Sequence, residues 1–100
     1  MDKGKIEYDA LVNWKFELKA DQKVLNKNYE KSSEKVIQEN VRLMVFINAS
    51  NKIKVDEAQY NLQVAQEEKD KCEKEMRQHS ELIESILVTI DNEISKRKPK

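Results

Sequence analysis

Apolar side chains recur along this chain at alternating steps of four and three. From Ile37 the series runs through Val41, Met44, Val55, Ala58, Leu62, Ala65, Cys72, Met76, Ile83 and Ile86 to Ile90. Only Asn48, Asn51, Lys69 and His79 interrupt it. A 3.5-residue period sustained well beyond three or four heptads predicts α-helix whose apolar stripe seats against another helix. The N-terminal part keeps its own frame, with Leu11, Trp14, Leu18 and Leu25 on one face and Tyr29 following. The two frames do not join in phase, so the pattern predicts a stutter or kink between Leu25 and Ile37. Asn26-Lys27-Asn28 and Ser32-Ser33 have weak helix propensity and mark residues 26–35 as its place.

The apolar blocks are arranged as a mirror about Asn48-Ala49-Ser50-Asn51. Folding the chain there sets Leu11, Trp14 and Leu18 against Leu82–Ile90, and Leu43–Ile47 against Ile53–Ala58. The predicted fold class is therefore all-α: an elongated coiled coil, as a long antiparallel helical hairpin with helices near 6–48 and 51–97 in one module spanning 1–100. A continuous or kinked rod in an oligomer is the alternative, because the heptad runs in phase straight through 48–51. A three-helix bundle is a third arrangement. Asn48 and Asn51 are read as turn or register residues, with Asn51 or Ser50 as an N-cap.

Leu43-Met44-Val45-Phe46-Ile47 is apolar on every side of a helix, and Ile86-Leu87-Val88 with Ile90 repeats the problem. A two-helix seam covers one stripe only, so apolar surface is left over for a partner. The candidate partner-binding residues are Leu43, Val45, Phe46, Ile47, Ile83, Ile86, Leu87 and Ile90. Phe16 joins them as an exposed aromatic anchor, since it lies nearly opposite Trp14 on the helix.

Composition sharpens this reading. Charged residues make up 38% of the 100 positions, which calls for a high surface-to-core ratio, and the charges cancel to a net of zero. The single glycine, Gly4, and the single proline, Pro99, lie near the two ends. Nothing between them breaks a helix by force, which argues against glycine-rich phosphate loops and strand sandwiches. No apolar run approaches the roughly 18 residues of a membrane span. The expected setting is intracellular and soluble.

The chemistry-bearing residues are few. Cys72 is the only cysteine and His79 the only histidine. One thiol and one imidazole seven residues apart do not make a zinc site, which takes about four ligands. His79 is read instead as a polar register position in the seam. No catalytic, cofactor or metal-binding residue is assigned, and no small-molecule substrate is expected. Lys15, Lys19, Lys23, Lys27, Lys31 and Lys35 recur every fourth residue. They define the alternative function, an electrostatic module for an acidic protein tail or a nucleic-acid backbone. Interspersed carboxylates and the lack of stacking aromatics count against nucleic acid. The basic end, Lys96-Arg97-Lys98-Pro99-Lys100, is read as complementing a helix C-terminus. The expected function is thus non-enzymatic: a structural or assembly protein that packs on a helical partner or on itself.

Overall fold

The computed structural model describes residues 2–97; Lys98, Pro99 and Lys100 of the basic end lie outside them. Two helices of 46 residues each, α1 (Lys3–Asn48) and α2 (Lys52–Arg97), account for nearly everything described. They form an all-α antiparallel helical hairpin.

The turn works without glycine. The Asn51 amide donates to the Phe46 carbonyl at 3.1 Å and the Ser50 amide to the Ile47 carbonyl at 3.0 Å. These are the two bonds of a Schellman termination, which satisfy carbonyls left over at the end of α1. The motif needs a left-handed residue between them, and Ser50 supplies it at φ 56°. Asn51 then caps α2: its Oδ1 accepts from the Lys54 amide at 3.2 Å. A serine in the left-handed region costs roughly 1–2 kcal/mol relative to glycine. Part of that is returned, because glycine loses more chain entropy on folding. Ser50→Gly is therefore expected to raise stability by about 0.5–1 kcal/mol, read as a higher urea midpoint at unchanged m-value.

Residues 26–35 are helical throughout, so no break interrupts α1 there. Ser32 Oγ and Ser33 Oγ both donate to the Tyr29 carbonyl, at 2.8 and 2.9 Å. The weak helix formers thus satisfy their hydroxyls on the helix itself. An unbroken α1 keeps one phase. Its shielded positions step 4-3-4-3 from Leu11 through Lys15, Leu18, Gln22, Leu25, Tyr29, Ser32, Val36, Glu39 and Leu43 to Phe46. The frame that starts at Ile37 therefore fails in α1: Ile37, Val41 and Met44 are exposed, Ile37 at 64%. It holds in α2 from Val55 to Met76. Beyond that the shielded series continues through Ser80, Ile83, Leu87, Ile90, Ile94 and Arg97, and His79 is exposed.

Two compact units make up the chain. In the first, up to Val24 and from Arg77 on, Ile83 and Ile90 form the buried core, with Leu11, Leu18, Leu87 and Ile94 half-buried beside them. Lys15 Nζ binds Asp91 Oδ1 at 2.6 Å, and Arg97 Nε donates to Glu7 Oε2 at 3.1 Å. The second unit, Leu25–Met76, has a different interior: Ala58, Ala65, Ser32 and Glu39 are its buried residues. Leu25, Tyr29, Val36, Leu43, Phe46, Val55 and Leu62 are half-buried around them.

Glu39 is the costliest of these. It is only 3% exposed. Its Oε1 accepts from Lys35 at 3.0 Å and from Arg42 at 3.3 Å, whereas its Oε2 is buried without a hydrogen-bond partner. Burying a half-satisfied carboxylate is unfavourable by several kcal/mol unless its partners compensate. The alternative frame would bury Ile37, Val41 and Met44, but α1 would have to break between Leu25 and Val36 to change phase. That would open backbone hydrogen bonds in mid-helix. The unbroken helix prevails, and its apolar stripe is left outside.

Candidate functional site

The most distinctive surface of the second unit is the outer face of α1. At 100° per residue, Ile37, Val41 and Met44 fall within about 60° of one another and lie about 150° from the centre of the shielded face. Val45 flanks them, and all four are about half exposed or more. The face is also free of charge. Between Val36 and Ser50 the only ionic residues are Glu39 and Arg42, and they pair with each other. In a chain where 38% of residues are charged, an outward apolar face without a single free charge is a local exception. Interface cores show this depletion of charge.

The expected partner-binding residues divide. Val45 and Ile47 are exposed, whereas Leu43 and Phe46 belong to the shielded face of α1. Phe46 lines a groove with Arg42 from α1 and Lys54, Glu57, Ala58 and Asn61 from α2. Ile83 and Ile90 are core residues of the first unit, and Ile86 and Leu87 are half-buried there. Phe16 stands 68% exposed. Asn48 and Asn51 are exposed turn residues and do not sit in a seam. Sequence reasoning missed Ile37, Val41 and Met44 as surface residues. The signal that finds them is the phase of Leu11, Leu18 and Leu25, carried on without a break to Val36, Leu43 and Phe46.

Other surfaces carry apolar residues as well. On α2, Ile53, Tyr60 and Val64 are exposed, but Lys52, Lys54, Asp56, Glu57 and Glu67 surround them. In the first unit, Trp14 is half exposed over a groove shared with Leu11, Ile86, Thr89 and Ile90. The adjoining groove is lined in part by a charged cluster: Arg97 binds Glu7 and, at 2.5 Å, Glu93. The Arg97 hydrogen bond, followed by the one from Lys96, holds the Glu93 carboxyl below its ordinary range. Arg97 is correspondingly fixed in its charged form by Glu93 and Glu7.

The six lysines do not share a face. A four-residue step advances about 40° beyond a full turn, so they wind around α1. Lys15 and Lys35 are engaged by Asp91 and Glu39. Cys72 is a free, half-buried thiol that donates to Glu68 at 3.7 Å. It lines a polar groove with Asn28, Lys31, Ser32, Lys71 and Glu75. Among the described residues, no cluster of three or more His, Cys, Asp or Glu side chains is placed to hold a metal ion. No helix among them is long and apolar enough to cross a membrane.

Fold and surface together define the class as an all-α antiparallel helical hairpin with an uncharged apolar outer face. No protein-family model, curated protein or solved structure matches the chain.

Proposed function

We propose that this protein is a non-enzymatic helix-packing module, a subunit or scaffold that holds a helical partner against the outer face of α1. The observation that carries the reading is the exposed stripe Ile37, Val41, Met44 and Val45 on a face without free charge. A hairpin alone gains nothing from such a stripe, since each side chain remains in water. A helix laid along it removes that apolar area at about 25 cal/mol per Å², in the groove-and-ridge manner of helix pairs.

The test uses Val41→Glu combined with Met44→Glu. Both side chains are exposed, so helicity and melting temperature are expected to stay within a narrow margin of the unmodified chain. Partner binding is expected to survive high salt, to show a negative heat-capacity change by calorimetry, and to vanish in the double variant. Binding that weakens steeply with salt and ignores both substitutions would instead support the lysine-based electrostatic module.

A further inference from the structure

We infer that the occupant of this face is a second copy of the same chain, packed α1 against α1 in antiparallel orientation about a two-fold axis at Val41. The inference rests on the helix-packing reading and names its partner.

Charge decides among the candidates. A surface pairs with itself only where like charges do not meet, and the outer face of α1 between Ile37 and Asn48 has none to bring together. The outer face of α2 is a poor mate for it, because Asp56, Glu57 and Glu67 would lose water against an uncharged surface. Packing α1 on the α2 of another copy would also be head-to-tail, generating a ring or an open-ended row rather than a two-fold pair.

Orientation follows from the residues at the ends of the stripe. With the axis at Val41, residue 37 meets residue 45 of the other copy, so Ile37 packs on Val45 at both ends. Residue 34 meets residue 48, so the Glu34 carboxylate lies beside the Asn48 amide, which can donate to it. Parallel pairing would instead set Glu34 beside Glu34 and Glu30 beside Glu30. The face spans about three helical turns from each copy, which puts the interface at the small end of specific contacts. Reversible association on the order of 10–100 µM is expected.

Sedimentation equilibrium of the full chain tests this. The mass should rise from 11.8 kDa toward twice that value across this range. Val41→Glu and Val41→Lys should each weaken association at least about a hundredfold, because two like charges would then face each other at the axis. Engineered cysteines in a Cys72→Ser background read the register under mild oxidation with glutathione. Val41→Cys should cross-link to itself. Ile37→Cys should cross-link to Val45→Cys when the two are mixed, but not to itself. A mass fixed at one chain up to about 1 mM overturns the inference, as does self-linking of Ile37→Cys without the mixed product. If the chain stays monomeric and the Val41→Glu, Met44→Glu chain still loses a different partner, the inference falls and the helix-packing reading stands. If neither association depends on these residues, both fall.

Discussion

Glu39→Leu is expected to raise the melting temperature by roughly 5–15 °C. The carboxylate is almost fully buried, and its Oε2 has lost water without gaining a donor. Lys35 and Arg42 compensate through Oε1 alone, and both reach it from solvent. Replacing a buried ionic group with an apolar side chain of similar size is often stabilising by about 1–4 kcal/mol. In a domain of this size each kcal/mol moves the midpoint by about 4–8 °C. Glu39→Ala should gain less, because it removes the charge but leaves a void. Differential scanning calorimetry of the three chains decides the matter. A lower midpoint for Glu39→Leu would mean that the Lys35 and Arg42 bonds outweigh the orphaned oxygen. A buried carboxylate in a seam also restricts which helix faces can pair. The leucine variant should therefore populate additional oligomers alongside its higher midpoint, visible by sedimentation velocity.

Ile90→Ala carries the largest expected loss. At 2% exposure Ile90 is the most buried large side chain among the described residues, and with Ile83 it makes up the buried core of the first unit. Truncating a buried isoleucine removes its transfer free energy and leaves a cavity, at a combined cost of about 2–5 kcal/mol. The whole stability of a 100-residue domain is roughly 5–15 kcal/mol. The loss should be local first. Amide exchange should accelerate in the strips of α1 and α2 that form the first unit before it does in Leu25–Met76. Leu82→Ala is the control: Leu82 lies in the same stretch of α2 but is exposed, so its change should stay within about 0.5 kcal/mol. Equal effects of the two substitutions would contradict the assignment of Ile90 to the core.

Much of the architecture was legible in the residues. The absence of glycine and proline between Lys5 and Lys98 leaves long helices as the economical reading. The mirrored apolar blocks point to a hairpin about Asn48–Asn51, and the α2 stripe from Val55 to Met76 is the shielded one. The turn was harder to see, because its left-handed residue is a serine where glycine is the usual signal. The candidate face was legible only in part. Val45 and Ile47 stood out as surplus apolar residues, but Ile37, Val41 and Met44 had every mark of a seam.

The residues alone therefore determined that the chain forms long helices and pointed to their pairing across a central turn, with a continuous rod left open. These follow from local propensity and from apolar spacing, which each segment carries by itself. Only the tertiary structure decided which of two apolar stripes of α1 is covered. That choice is collective: one unbroken helix presents a single phase to its neighbour from end to end. The phase that accommodates Leu11, Leu18 and Leu25 buries Glu39 and leaves Ile37, Val41 and Met44 in water.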